Sequence, residues 1–285
     1  MTLLAIALVL GAAFVHATWN FLAKRTGSGT VFVWLFAALS AALYAPVAAT
    51  VLMLKQPHIG RVELTFMAGS GVLHLTYFVM LQRGYRFGDL SLVYPLARST
   101  GPMLATAAAI AFFGERPTAL ALLGAALIVL GAFAISWNGG NVTARVRTGL
   151  AYGVLVGALI ASYTLLDKYA VSSLAISPVL LDWSANLGRA TLLTPYALTR
   201  WDRVQVEWRT HRSEALAIAA LTPLSYILVL TAMSFTPVSY IAPAREISIL
   251  IGTFLGTRWL GEGHSRQRLL AGGVMMLGLV ALALG

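Results

Sequence analysis

Ten apolar stretches, each long enough to cross a lipid bilayer as a helix, constrain this chain more than any other feature. A transmembrane helix needs about 20 mainly apolar residues. The stretches cover residues 2–22, 31–54, 64–82, 90–113, 117–137, 148–166, 174–199, 215–236, 237–257 and 269–284. The sequence therefore predicts an all-α membrane protein with ten transmembrane helices and no separate soluble domain.

The composition excludes several other classes of protein. Charged side chains make up 11% and hydrophobic ones 59% of the 285 residues, whereas soluble domains carry about 25% charged residues. Unbroken apolar runs also exclude a transmembrane β-barrel, whose strands alternate apolar and polar residues. The chain has no cysteine and no Gly-Lys-Ser/Thr nucleotide-binding loop. We therefore predict neither a metal nor a cofactor.

The net charge of +10 has its explanation in the loops between the spans. Loops after odd-numbered spans contain thirteen lysines and arginines, and loops after even-numbered spans contain four. Because basic residues accumulate on the cytoplasmic side, we predict that the odd loops, including the arginine-rich segment 199–213, are cytoplasmic and that both termini lie outside. The charge thus indicates a lipid bilayer as partner and no nucleic acid.

The second half of the chain repeats the first. Residues 17–24 align with residues 161–168, and five further matches follow in the same order. The further matches are Tyr77 with Tyr226, Pro95 with Pro243, Arg98 with Arg245, Gly114-Glu115 with Gly261-Glu262, and Gly131 with Gly278. Each half contains five spans, so the second half must enter the membrane from the opposite side. Such inverted repeats enclose a site near the membrane midplane in many transporters.

We accordingly predict a first five-helix repeat over residues 1–137, a connecting loop over 138–147 and a second, inverted repeat over 148–285. The two repeats should surround a central cavity that opens to either side by rocking.

Three segments resemble the drug/metabolite transporter superfamily in its ten-helix EamA-type branch. They are the run His16-Ala-Thr-Trp-Asn-Phe-Leu-Ala-Lys24, the run Gly88-Asp-Leu-Ser-Leu-Val-Tyr-Pro-Leu-Ala-Arg98, and the Gly-Glu pairs after the fourth and ninth spans. The resemblance covers essentially the whole chain. It implies a secondary carrier of the cell inner membrane, similar to bacterial exporters of amino acids, including aromatic ones. It implies a small-molecule substrate, and we expect a monomer or a homodimer.

Two arginines at membrane depth are the first candidates for a binding site. Arg98 follows Pro95, and Arg245 follows Pro243 and precedes Glu246. A proline inside a helix removes one backbone hydrogen bond and frees a carbonyl group. Each arginine could hold a substrate carboxylate, or it could pair with a carboxylate on a neighbouring helix, since a buried charge needs a partner.

Other polar residues occur within the spans. Asp182, Asn186 and Arg189 are spaced to share one face of the seventh span, where they either join helices or line a pathway. His16 and His74 could hydrogen-bond a substrate or relay protons, as could Glu246, and a purely structural role is the alternative.

A set of aromatic residues could wall the cavity and suit flat apolar substrates. The set consists of Tyr77, Tyr94, Trp183, Tyr226 and Tyr240. The alternative for aromatic residues near span ends is the belt at the membrane surface.

These observations predict export of small metabolites by alternating access, with aromatic or apolar amino acids as the substrate class. An exchanger of phosphorylated or nucleotide-linked metabolites is the alternative among carriers. A membrane enzyme acting on lipids is disfavoured because the chain has no HExxH or G-x-S-x-G motif, and a non-transporting scaffold is the remaining class.

Overall fold

The computed structural model describes residues 1–26, 29–87, 90–136, 144–260 and 266–285. These residues form eleven α-helices, and no β-strand occurs among them. The helices are α1 (Leu3–Thr26), α2 (Thr30–Lys55), α3 (Arg61–Phe87), α4 (Leu90–Phe113), α5 (Ala119–Ser136), α6 (Ala144–Ser172), α7 (Pro178–Leu198), α8 (Trp201–Phe235), α9 (Val238–Ala244), α10 (Ile247–Leu260) and α11 (Arg266–Leu284). The predicted all-α membrane class is confirmed.

Seven segments of the described chain are long and apolar enough to cross a membrane. They lie in α1, α2, α3, α4, α6 and α8, and the seventh runs through α9 into α10. Shorter apolar helices occur in α5 and α11. The remaining helix, α7, carries the predicted polar trio, whose buried charge lowers its hydropathy.

Several predicted boundaries differ from the structure. Helix α6 begins at Ala144, within the predicted connecting loop 138–147, and α3 extends to Phe87, beyond the predicted span 64–82. The ninth span is two helices, because the chain turns at Arg245 and Glu246. The segment expected as a loop before the eighth span is helical, and it forms the start of α8 up to a kink at His211. Helix α6 extends to Ser172 and therefore includes Asp167, which lies beyond the predicted end of the sixth span.

Helices α5 and α11 pack in opposite directions at close range. A Cβ atom on Gly124 would lie 2.5 Å from the backbone nitrogen of Leu282, and one on Gly131 would lie 2.9 Å from the carbonyl oxygen of Ala271. As residue numbers increase along α5, the residues that they contact in α11 decrease in number, so the two helices are antiparallel. Glycine at these positions lets the two backbones approach as closely as small residues permit in membrane proteins.

Helices α2 and α7 are also antiparallel. The indole Nε1 of Trp34 donates to Thr194 Oγ1 at 3.0 Å, and the indole Nε1 of Trp183 donates to Ala41 O at 2.8 Å. Helices α5 and α11, like α2 and α7, occupy equivalent positions in the two predicted repeats, so their antiparallel packing is the arrangement that inverted halves require.

The two ends of the chain meet at one face of the bundle. The amino group of Met1 donates to Ala283 O at 3.0 Å. Helices α1 and α11 therefore begin and end at the same face, as an even number of crossings requires. The placement of this face outside the cell stays a prediction. The repeat boundaries also stay predictions, since residues 137–143 lie outside the described residues.

Candidate functional site

The turn between α9 and α10 brings backbone and charged side chains into the middle of the bundle. Pro243 has no N–H and ends the regular pattern of α9. The chain then turns through hydrogen bonds between residues three positions apart. They run from Glu246 N to Pro243 O at 3.0 Å and from Ser248 N to Arg245 O at 3.1 Å. This interruption exposes helix ends at a depth where irregular backbone is tolerated only inside the protein or around a cavity.

Arg98 of α4 is held by groups from this turn. Its Nε lies 3.0 Å from Glu246 Oε2, and its Nη2 donates to Ser248 Oγ at 3.1 Å. Glu246 is buried. The ion pair joins the two predicted halves and gives the buried Glu246 carboxylate and the partly buried Arg98 guanidinium partners of opposite sign.

Arg245, the counterpart of Arg98 in the second half, has a different environment. Its guanidinium carbon lies 5.5 Å from the ring centroid of Tyr226, which is cation–π range. Within the described part of the chain, no carboxylate or other acceptor pairs with this guanidinium. Its hydrogen-bonding capacity is therefore available to a ligand.

A small cavity lies beside both arginines. Its walls come from α1, α4, α8 and the turn between α9 and α10. The lining residues are Ala12, Ala13, His16, Arg98, Ser225, Tyr226, Val229, Arg245 and Ser248. Its volume of about 20 Å³ is room for a single water. The predicted arginines thus lie beside a cavity of water size, and an amino acid would enter it only after the helices move apart.

A second buried cluster adjoins the cavity through Tyr226. The hydroxyl of Tyr226 donates to Asp167 Oδ2 at 2.5 Å, and His74 Nε2 lies 3.0 Å from the same oxygen. The imidazole of His74 stacks on the Tyr163 ring at a centroid distance of 4.1 Å, and Tyr77 meets Tyr163 edge to face at 5.7 Å. His74, Tyr77 and Tyr226 are thus brought together, but His74 and Tyr77 are not among the residues that line the cavity.

Asp167 is fully buried, and sequence reasoning missed it. In the alignment of the two halves Asp167 matches Ala23, and it lies just beyond the predicted sixth span, 148–166. Two signals could have found it. Asp167 lies four residues after Tyr163, on the same helical face, and it replaces an apolar residue of the first half with a charge.

The polar trio of α7 forms a chain of contacts within the helix, along the shared face that the spacing predicts. Asn186 Nδ2 donates to Asp182 Oδ2 at 3.0 Å, and Arg189 Nη1 donates to Asn186 Oδ1 at 3.4 Å. Asp182 and Asn186 are buried. Asn186 therefore connects a carboxylate and a guanidinium on one helix, and none of the three lines the cavity.

The predicted aromatic wall is assembled only in part. Tyr226 lines the cavity. Trp183 instead joins α7 to α2 through Ala41 O, and the hydroxyl of Tyr240 donates to Gly285 O at 3.3 Å, near the end of α11. The side chains of Tyr94 and Pro95 lie outside the described residues.

A further charged pair, also unpredicted, anchors the junction between α8 and α9. Lys168 Nζ donates to the carbonyl oxygens of Met233 and Thr236 at 2.7 and 3.1 Å, at the end of α8. The carboxylate of Glu115 accepts the N–H groups of Val238 and Ser239 at 2.7 and 2.8 Å, at the start of α9. Each side chain has the charge that a helix terminus of that polarity favours.

Comparison with known proteins gives a family match for the first part of the chain and a fold match for nearly all of it. Residues 3–137 match the model of the EamA-like transporter family. No curated protein sequence matches the chain. A crystal structure of a protein with 13% sequence identity covers 98% of this chain and 96% of that chain, with a TM-score of 0.76. Residues 3–137 thus carry an EamA-like transporter domain, and the fold similarity extends over nearly the whole chain.

Proposed function

We propose that this chain, whose first half carries an EamA-like transporter domain, is a secondary transporter that exports amino acids with aromatic or apolar side chains. It acts in the cell inner membrane by alternating access. The family consists of transporters, which favours transport over a lipid-modifying activity.

The observation that carries the substrate class is the guanidinium of Arg245, which lies beside the cavity and has no acceptor among the described residues. A guanidinium binds a carboxylate through two parallel hydrogen bonds, and these are stronger in a site that excludes water. Arg245 lies on the turn between two helices, so its backbone can shift without breaking a continuous helix. The cavity therefore offers one cationic anchor, with polar contacts from His16, Ser225 and Ser248.

Apolar residues complete the cavity. Ala12 and Ala13 of α1 and Val229 of α8 line it next to the ring of Tyr226. Small alanine side chains leave space for a bulky group once the helices separate. An amino acid with an aromatic or apolar side chain matches this combination of one cation, several hydrogen-bonding groups and an apolar wall.

The ion pair of Arg98 bears on the alternative cargo. Phosphorylated metabolites carry two negative charges, which require more than one free cation. Since Glu246 lies 3.0 Å from Arg98, only Arg245 remains free of a carboxylate in the cavity lining. This arrangement favours a single carboxylate over a phosphate dianion.

The test is counterflow of labelled amino acids in proteoliposomes. We expect the wild type to exchange phenylalanine and leucine, and Arg245→Ala to lower their affinity by about 10- to 100-fold. Arg203→Ala, which removes an exposed arginine of α8, is the matched control and should transport normally. Normal exchange by Arg245→Ala, or competition by phosphate esters that exceeds competition by amino acids, would contradict the proposal.

A further inference from the structure

Asp167 carries a buried charge that the proposed carboxylate site leaves unexplained. Its side chain is 0% exposed. Oδ2 accepts from Tyr226 and contacts His74, while Oδ1 has no hydrogen-bond partner within the described part of the chain. One oxygen is therefore saturated and the other is vacant. A vacant, buried carboxylate oxygen is a position for a proton or a cationic group.

The neighbouring lysine does not neutralise Asp167. Lys168 Nζ is bonded to the end of α8, through Met233 O and Thr236 O. The ammonium group of Lys168 thus interacts with these backbone carbonyl groups and not with the Asp167 carboxylate. The partner of Asp167 must come from another helix.

The charges in the middle of the described bundle fall into three pairs. Arg98 contacts Glu246 directly, and Arg189 reaches Asp182 through Asn186. The third pair consists of Arg245 and Asp167, which Tyr226 separates. The guanidinium of Arg245 lies over the Tyr226 ring, and the Tyr226 hydroxyl donates to the Asp167 carboxylate.

The other titratable groups around Asp167 come from every neighbouring helix. Tyr163 lies on α6 itself, His74 and Tyr77 come from α3, and Asp182 and Arg189 come from α7. Besides Arg189, which already has Asp182, the cation that acts on this cluster is Arg245.

We propose that Asp167 is an exchange site that binds either a proton or the ammonium group of the substrate. This proposal rests on the proposed function, because it assigns the second charge of the same amino acid. The carboxylate of the substrate binds Arg245, and its ammonium group binds the vacant Oδ1 of Asp167 as Tyr226 moves aside. A zwitterion then bridges the one pair of opposite charges that no side chain joins by a charge-to-charge contact.

Competition at one carboxylate couples substrate to protons. When the ammonium group is bound, Asp167 is ionised and holds no proton. When the substrate leaves, a proton bonds to Oδ1 and turns the carboxylate into a neutral acid, while His74 and Tyr226 hold Oδ2. No other covalent bond forms or breaks. A proton that binds Asp167 from the outside is thus carried inward in exchange for an amino acid that is carried outward. An inward proton gradient therefore drives export.

The decisive comparison uses two ligands that differ only in the ammonium group, phenylalanine and 3-phenylpropionate. We expect Asp167→Asn to weaken phenylalanine binding by about tenfold or more and to leave 3-phenylpropionate binding unchanged. Asp182→Asn removes a buried carboxylate that has its own partners, and it should alter neither ligand selectively. Equal losses for both ligands in Asp167→Asn would overturn the proposal, since they would indicate a structural role.

Proton exchange provides the second measurement. In weak buffer, wild-type protein should release protons when phenylalanine binds, and Asp167→Asn should release none. Infrared difference spectra between acid and neutral pH, recorded without substrate, should contain a carboxylic-acid band that Asp167→Asn removes and Asp182→Asn retains.

These readouts separate the two proposals. If phenylalanine exchanges normally but releases no protons, the exchange site is wrong and the transport function stands. If no amino acid binds, the transport function fails, and the exchange site fails with it as an ammonium site. The infrared band then still decides whether Asp167 takes up a proton.

Discussion

Helix α4 and the pair α9–α10 occupy equivalent positions in the two halves, yet they differ in continuity. Both contain a proline shortly before an arginine, Pro95 before Arg98 and Pro243 before Arg245. The first arginine lies within an unbroken helix, and the second lies at a turn. Arg98 follows Pro95 by three positions, whereas Arg245 follows Pro243 by two. The segment between proline and arginine is therefore one residue shorter in the second half.

The two arginines differ in charge environment for a related reason. The residue after Arg98 is Ser99, and the residue after Arg245 is Glu246. Only the second half therefore supplies a carboxylate, and that carboxylate crosses to Arg98 of the first half. The predicted repeats place the two arginines at equivalent positions, and Glu246 pairs with Arg98, which is why we propose Arg245 as the ligand-binding cation.

The largest effect that this contrast predicts is on stability. Arg98→Ala leaves Glu246 buried without its cation, and we expect a loss of about 3–5 kcal/mol in the free energy of unfolding. The double variant Arg98→Ala with Glu246→Gln removes both charges and should recover most of that loss. Thermal unfolding in detergent measures both variants against Arg203→Ala. Equal stability of Arg98→Ala and the control would show that the ion pair is unimportant.

A smaller effect concerns specificity. Glu246→Gln removes the carboxylate that lies 3.0 Å from Arg98, so the net positive charge beside the cavity rises by one. We expect affinity for phenyl phosphate, a dianion at neutral pH, to rise by about tenfold, as one added charge-assisted contact should give. Competition against labelled phenylalanine measures the change. A variant that binds phenyl phosphate no better than the wild type would contradict the assignment of Arg98 as the neutralised cation.

The smallest effect concerns the start of α9. Glu115→Gln keeps one acceptor but loses the charge and the second contact to the N–H groups of α9, at an expected cost of about 1 kcal/mol in stability. The exposed neighbour Arg116 supplies the control variant, Arg116→Gln. Unfolding curves that coincide for the two variants would rule out an anchoring role for Glu115.

The sequence predicted the parts of this architecture that depend on local pattern. Apolar stretches marked the helices, since backbone groups in lipid must be satisfied within a helix. The polar spacing in α7 marked one helical face. The alignment of Arg98 with Arg245 identified the two cations beside the cavity, even though nothing local distinguished their roles.

The partners of those residues could not be predicted, because they come from distant parts of the chain. The carboxylate of Glu246 meets Arg98 across about half of the sequence, and Trp183 meets Ala41 over a similar separation. The predicted sixth span ends before Asp167, whereas α6 extends to Ser172 and places Asp167 inside the bundle. The sequence predicted one aromatic wall around the cavity, but the packing of the helices places Trp183 and Tyr240 in separate contacts.

By itself, the sequence determined that this chain is a helical membrane protein, and it predicted an internal duplication and arginines at membrane depth, because hydropathy and repetition are properties of the chain alone. Only the tertiary structure decided that Arg98 pairs with Glu246, that Arg245 has no acceptor among the described residues and that Tyr226 contacts both Arg245 and Asp167. The physical reason is that a buried charge acquires its role from the groups that desolvate and pair with it, and those groups belong to other helices.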